Sequence, residues 1–181
     1  LGFAPVRTGS TLFGSLVHQT IEDIHRAALR SEENTITEDN LKIWFNNNYL
    51  NLSKKEHSYL TPSALEAAFN QVRNYVEKEG ADWKRVIDTE VEISHVEADY
   101  ILNGKIDLLR GEGDSVEIVD FKAEKKPDME LEREKIDRYR RQLQFYAYIV
   151  EQKLGLKVDK MHIYYTAEED GIPTITYKNQ L

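Results

Sequence analysis

Two segments rich in β-forming residues, joined by a short glycine-containing turn, constrain the fold of this chain more than any other feature. Residues 100–109 read YILNGKIDLL, residues 115–122 read SVEIVDFK, and the turn GEGD lies between them at 111–114. A third β-rich segment at 86–93 precedes this pair. Short apolar segments separated by turns of this kind predict a three-stranded antiparallel meander.

The region before the meander has helical periodicity instead, because apolar residues recur there every three or four positions. Capping residues mark some of the boundaries, with Thr61 and Pro62 at a start and Gly80 just past an end. The expected elements are a helix at about 10–29, a second helix after Thr37, a polar connection at 46–60 and a third helix that begins at Thr61 and ends before Gly80.

The chain returns to helical and then to strand periodicity after the meander. A long amphipathic helix is expected at about 131–154, ended by Gly155, and two further strands at 158–166 and 174–178. Helices followed by strands, a helix and more strands indicate an α/β (α+β) fold, with a mixed central β-sheet flanked by helices.

Composition excludes several classes of protein. The 181 residues include 40% hydrophobic side chains, which suffices for a core, but no apolar run approaches the roughly 20 residues that cross a bilayer. Cysteine is absent, which excludes disulfides, thiolate zinc sites and iron–sulfur clusters.

No phosphate-binding loop of the G-x-x-x-x-G-K type is present, so no ATP site is expected. The chain begins with Leu1 and has no secretory pattern, and we expect an excised domain of a larger cytoplasmic protein.

Three charged residues in the meander carry the chemistry. Residues two apart on a strand face the same side, so Asp120 and Lys122 project together while Phe121 points away. If the two strands pair through the GEGD turn, Asp107 lies beside Asp120. Two adjacent carboxylates repel each other, and a divalent cation with oxygen ligands, Mg²⁺ or Mn²⁺, would relieve that repulsion.

A lysine next to such a pair suits phosphodiester hydrolysis, because its ammonium can orient a water and stabilise charge on a phosphate. The alternative is that Asp107, Asp120 and Lys122 are surface charges of an unrelated regulatory α+β domain. Against this, Asp120 and Lys122 continue a strand face that begins with Val116 and Ile118, so charge replaces apolar residues partway along a half-buried row.

With these residues the sequence resembles the PD-(D/E)XK nuclease superfamily, and in particular the RecB-type nuclease domains at the C-terminus of UvrD/Rep-like helicases. The first similar stretch is GSLVHQTIEDIHR at 14–26, which matches a G-x-x-x-H helix. The second, within 104–124, holds GKIDLL and VDFKAE and matches a G-x-x-D and D-x-K core. The third is RYRRQLQFYAYIVE at 138–151, which matches a Q-x-x-x-Y helix. The resemblance implies a restriction-endonuclease-like core.

The resemblance also implies a catalytic set. His18, Asp107, Asp120 and the backbone carbonyl of Phe121 would hold Mg²⁺ or Mn²⁺, and Asp107, Asp120 and Lys122 would be catalytic. An alternative for His18 is a capped or solvated helix side chain.

Further residues would support this set. Gln142 and Tyr146 would position DNA or the lysine, although Tyr146 could also be a core aromatic with its hydroxyl at the rim. Glu90 would help to orient a ligand, although it could be a surface side chain. The candidate DNA contacts are Lys125, Lys126, Arg138 and Arg141. The two arginines could instead form a solvated helix face.

The expected function is therefore that of a metal-dependent DNA exonuclease domain of an ATP-dependent helicase–nuclease in recombination or repair. Residues 1–181 would form one nuclease domain, with a helical part at about 1–82 and a catalytic core at about 83–181. Its partners would be DNA and the helicase domains of the parent protein, in the bacterial cytoplasm or nucleoid. The net charge of −8 would suit a domain to which a helicase delivers the DNA. The same charge motivates a rival hypothesis, a catalytically silent nuclease-like binding or scaffolding module.

Overall fold

The computed structural model describes residues 9–80, 82–96, 98–99 and 101–179. These residues form two compact units, a helical unit that ends at Gly80 and a sheet-containing unit that follows it. Among the described residues, no helix combines the length and the apolar character that a membrane crossing requires.

The helical unit contains α1 (Gly9–Leu29), α2 (Glu38–Glu56) and α3 (Pro62–Glu79), with a short 3₁₀ turn at Glu33–Thr35. Helix α1 packs against both other helices. The predicted caps are present, because Thr37 accepts a hydrogen bond from the backbone of Asn40 and Thr61 accepts one from Ala64. Three predicted helices are thus confirmed.

The predicted polar connection at 46–60 is wrong, because α2 continues without a break to Glu56. One of its asparagines, Asn48, serves helix packing and not a turn. Asn48 Nδ2 donates to Thr20 Oγ1 at 3.2 Å and to Asp23 Oδ2 at 2.9 Å, both on α1. These tertiary contacts outweigh the low helix propensity of asparagine.

The predicted meander is confirmed, with strands β1 (Val86–Val96), β2 (Ile101–Glu112) and β3 (Ser115–Lys122) in antiparallel pairing. Strand β3 has the predicted bounds, whereas β1 and β2 extend farther toward the C-terminus than predicted, so the turn after β2 contains only Gly113 and Asp114. Gly113 has φ of 69°, which glycine adopts without the steric cost of a Cβ atom. Tyr100, expected at the start of β2, lies outside the described residues.

The remaining elements are α4 (Arg133–Leu154), β4 (Lys157–Tyr165) and β5 (Thr174–Lys178). The sheet order is β1-β2-β3-β4-β5, in which β3 and β4 are parallel and all other neighbours are antiparallel. Parallel neighbours need a long crossover, and α4 supplies it while packing against β1, β3 and β4. The predicted fold class, a mixed sheet flanked by helices, is confirmed and is consistent with a restriction-endonuclease-like core.

Candidate active site

Asp107 and Asp120 lie next to each other where the pairing of β2 and β3 ends. The last registered pair is Leu108 with Val119, and the two aspartates occupy the next position on each strand. Asp107 Oδ2 accepts a hydrogen bond of 2.8 Å from the backbone N–H of Phe121. Asp120 is 8% exposed. The acids are therefore neighbours, which disfavours the alternative of unrelated surface charges.

Burial raises the pKa of Asp107 well above its usual range, and the negative charge of Asp120 raises it further. The hydrogen bond from the Phe121 N–H acts in the opposite direction but does not offset these two effects. A cation beside such a carboxyl group stabilises its ionised form. Oxygen donors in such a cluster fit a hard divalent cation.

Glu90 stands across from Asp107 on the neighbouring strand. The registered pairs Thr89 with Leu108 and Val91 with Ile106 enclose this position. A carboxylate oxygen of Glu90 lies within 4.8 Å of one of Asp107. Three acids thus follow one another across β1, β2 and β3.

The backbone at Glu90 is strained, with φ of 51° in the left-handed region that favours glycine. Such strain costs about 1–3 kcal/mol and persists where neighbouring contacts fix the conformation. Thr89 provides one of these contacts, because its Oγ1 donates to the Asp107 carbonyl at 3.0 Å. Lys105 provides another, with its Nζ 3.4 Å from Glu90 Oε2. The sequence offered one signal for Lys105, since it stands two residues before Asp107.

Lys122 is fixed at both ends. Its carbonyl accepts the backbone N–H of Thr166 at 2.9 Å. Its Nζ lies 3.1 Å from Asp120 Oδ2 and 4.4 Å from the centre of the Tyr139 ring. Burial alone would lower the pKa of Lys122, but the charge of Asp120 and the hydrogen bond to it raise the pKa overall. Lys122 is therefore an ammonium ion at neutral pH.

Gln142 and Tyr146 form a hydrogen-bonded pair on α4, in which Gln142 Nε2 donates to Tyr146 Oη at 2.9 Å. Tyr146 is 6% exposed and belongs to the hydrophobic core, as the alternative of a core aromatic had it. Burial raises the pKa of the Tyr146 hydroxyl, and the charges of Asp120 and Asp107 add to the effect. The hydroxyl therefore keeps its proton and lies close enough to the acids to respond to their charge.

Gly104 makes this position of Tyr146 possible. A Cβ atom at residue 104 would lie 2.8 Å from Tyr146 Cε1 and 3.2 Å from its Oη. The glycine before Asp107 and the tyrosine after Gln142 are thus in direct contact, a pairing that neither sequence stretch shows by itself.

The other predicted ligands are His18 and the backbone carbonyl of Phe121. His18 lies on α1 of the helical unit and is half-buried, and its role as a ligand stays a prediction. The Phe121 carbonyl likewise stays a predicted ligand, while the side chain of Phe121 is buried against Tyr164.

The predicted DNA-binding residues differ in their surroundings. Lys125, Arg138 and Arg141 have exposed side chains. Lys126 is tied to the connection between β4 and β5, because its backbone N–H donates to Glu168 and its Nζ donates to the Ile172 carbonyl at 3.3 Å. The three exposed side chains are therefore better placed than Lys126 to meet a ligand from solvent.

Comparison with known families agrees with this geometry. Residues 4–177 match the family model of the PD-(D/E)XK nuclease superfamily. The chain therefore belongs to the PD-(D/E)XK nuclease superfamily, whose members are usually metal-dependent nucleases.

Other comparisons add little. No curated protein matches the chain. Among solved structures, protein VC1899 from Vibrio cholerae aligns with 11% identity and a TM-score of 0.32, over 88% of this chain and 48% of that protein. The chain thus spans about half the length of VC1899, and a likeness of this size carries no argument about fold or function.

Proposed function

We propose that this chain is a metal-dependent DNA nuclease domain that hydrolyses phosphodiester bonds. The observation that carries the proposal is the cluster of Asp107, Asp120 and Lys122, in which a half-buried and a buried carboxyl group lie side by side next to an ammonium ion. Membership of the superfamily supports the same reaction class.

The residues fit a divalent cation. Burial and the charge of Asp120 raise the pKa of Asp107, and a cation would supply the positive charge that favours its ionised form. Asp107, Asp120 and Glu90 would hold Mg²⁺ or Mn²⁺, and His18 and the Phe121 carbonyl would complete the ligand set. When bound, the cation would supply Lewis-acid chemistry at the scissile phosphate.

The side chains then have separate tasks. Lys122 offers an ammonium for the negative charge that develops on the phosphate oxygens, a stabilisation that is strongest in a partly buried site. Asp120 holds that ammonium by the contact of 3.1 Å. Gln142 and Tyr146 would position the DNA backbone or the lysine, and Lys125, Arg138 and Arg141 would bind phosphates farther along the strand.

The proposed biological setting is a helicase–nuclease in recombination or repair, in which this domain acts as the exonuclease. Support comes from the three similar stretches that follow the order of RecB-type domains, at 14–26, 104–124 and 138–151. The net charge of −8 also suits a domain that receives DNA from attached helicase domains. A DNA substrate would place the protein in the cytoplasm or nucleoid.

The test is cleavage of end-labelled linear DNA, single- and double-stranded, by the 181-residue chain with Mg²⁺, Mn²⁺ or EDTA. We expect metal-dependent cleavage that Lys122→Ala slows by about 10²- to 10³-fold, to a residual rate that stays measurable. Lys178→Ala, on the edge strand β5, should retain the wild-type rate. Closed circular DNA should resist, because an exonuclease needs an end. Equal background cleavage by wild type and Lys122→Ala with every metal would rule out the nuclease. If Mn²⁺ also failed to bind in calorimetry, the silent scaffolding module would be favoured.

A further inference from the structure

The side chain of Tyr139 lies against the ammonium of Lys122. The Lys122 Nζ is 4.4 Å from the centre of the Tyr139 ring, well inside the range of about 6 Å for cation–π attraction. The Lys122 side chain is 25% exposed, so water screens this attraction only in part.

We infer that Tyr139 is a positioning residue, which holds the Lys122 ammonium beside Asp120 through the face of its ring. The inference rests on the proposed function only in assigning Lys122 to catalysis, since the contact itself is independent of any reaction.

A lysine needs such support more than most residues do. Its ammonium is a point charge on a flexible four-carbon stem, and ordering that stem costs conformational entropy. In Lys122 the backbone is held by Thr166 and the ammonium is held by Asp120 from one side. The ring of Tyr139 supplies a second attachment, so that the ammonium is held by more than one partner.

The ring differs from a second carboxylate in a way that suits catalysis. Its electrostatic attraction to a cation acts across the whole face and does not need a directed N–H bond. The ammonium therefore keeps N–H groups available for the oxygens of a phosphate. A carboxylate in the place of the ring would accept one of those hydrogen bonds and add negative charge where the phosphate must come.

The ammonium of Lys135 is a second cation near the same ring. Its Nζ lies 6.0 Å from the ring centre and 2.8 Å from Glu124 Oε1. Glu124 thus holds Lys135 at the outer limit of attraction, which leaves the ring to Lys122.

Two substitutions distinguish the effect of the aromatic face of Tyr139 from the effect of its side-chain volume. Tyr139→Phe keeps the aromatic face, and we expect kcat to stay within about twofold of wild type. Tyr139→Leu keeps an apolar side chain without the face, and we expect kcat to fall by about 3- to 30-fold with KM nearly unchanged. If Phe loses as much as Leu, or if KM changes instead of kcat, the inference is wrong. Tyr139→Met serves as a second ring-free variant if circular dichroism shows that Leu does not fold.

A double substitution tests whether Tyr139 acts through Lys122. In the Lys122→Ala background, Tyr139→Leu should cause no further loss, because the ammonium that the ring holds is already absent. A further loss equal to that of the single Tyr139→Leu variant would show that the ring acts by another route.

An NMR measurement that does not depend on DNA cleavage completes the test. In protein labelled with ¹³C at lysine Cε, the Lys122 signal is identified by its absence in Lys122→Arg. Its protons should be shifted upfield by the ring, retain that shift in Tyr139→Phe and lose it in Tyr139→Leu, while Lys178 is unchanged. No such shift in wild type would overturn the inference even if the protein cleaves DNA. A ring-dependent shift in a protein that cleaves nothing would support the contact and defeat the proposed function.

Discussion

Two carboxyl groups of the sheet, Glu117 on β3 and Asp107 on β2, have pKa values that their surroundings shift in opposite directions. Glu117 Oε2 lies 3.0 Å from Arg110 Nε, 3.1 Å from Arg85 and 3.1 Å from His162 Nε2. Burial alone would raise the pKa of Glu117, but the hydrogen bond from Arg110 and the charges of His162 and Arg110 lower it overall.

Three residues farther along, the surroundings of Asp120 contain a second acid, Asp107, whose pKa is raised by burial and by the charge of Asp120. The comparison teaches how a structural ion cluster differs from a candidate metal site in one sheet. In the Glu117 cluster the protein supplies cations that favour the charged carboxylate. In the Asp107 and Asp120 cluster it brings two acids together, and their mutual repulsion disfavours the charged form of Asp107. A pKa raised by burial beside a like charge is a feature of functional sites.

The largest expected difference between the clusters is in catalysis. Asp107→Asn should lower the rate of DNA cleavage by about 10³-fold, because it removes a proposed metal ligand. Glu117→Gln should leave the rate of the folded protein within a few fold. The measurement is kcat with end-labelled DNA at saturating Mn²⁺. Equal losses of kcat in both variants would show that the two clusters do not differ in their role in catalysis.

Stability should respond in the reverse order. Glu117→Gln should lower the free energy of unfolding by about 1–3 kcal/mol, because it leaves the half-buried guanidinium groups of Arg85 and Arg110 beside a neutral amide. Asp107→Asn should not destabilise the metal-free protein, since it removes a buried like charge. Urea unfolding in EDTA measures both, and a large loss for Asp107→Asn would show that the acid is structural.

The packing of Gly104 against Tyr146 gives a smaller effect. Gly104→Ala should destabilise the protein by about 1–3 kcal/mol, because the new Cβ atom overlaps the ring and forces it to move. Gly113→Ala is a poor control, since its φ is 69°. Ser94→Ala, with an exposed side chain on β1, is a suitable one. A change in Tm no greater than that of Ser94→Ala would show that the ring shifts freely.

The smallest effect is the pH dependence of the two clusters, which should have opposite signs. The pKa of Glu117 is lowered in the folded state, so its contribution is present above the ordinary value of 4.5 and is lost as pH falls through the folded pKa. The pKa of Asp107 is raised, so the folded state is favoured below 3.8 and loses stability as pH rises through the folded pKa.

Unfolding between pH 3 and 8 in EDTA measures these trends as differences from wild type. The disadvantage of Glu117→Gln should shrink toward acid, and any advantage of Asp107→Asn should grow toward neutral pH. Parallel trends in the two variants would contradict the assignment.

The sequence predicted the elements well where one local signal dominated. The meander and its turn followed from alternating apolar residues and glycine, and α3 followed from Thr61 and Pro62 at its start. It failed in α2, where the contacts of Asn48 with α1 decide the conformation and no local pattern reveals them.

The site shows the same division. The proximity of Asp107 and Asp120 follows from strand register, which a two-residue turn fixes. The contact of Lys122 with Tyr139 joins a strand to a helix that begins eleven residues later, and no periodicity determines how that helix lies on the sheet. The partner of Tyr139 could be found only in three dimensions.

Glu117 and Asp120 are an odd number of positions apart on one strand, so alternation directs them to opposite sides of the sheet. The sheet thus separates a face whose charges stabilise the fold from a face whose charges are proposed to serve catalysis. A protein engineer could retune the arginine and histidine side for durability while the opposite side retained its chemistry.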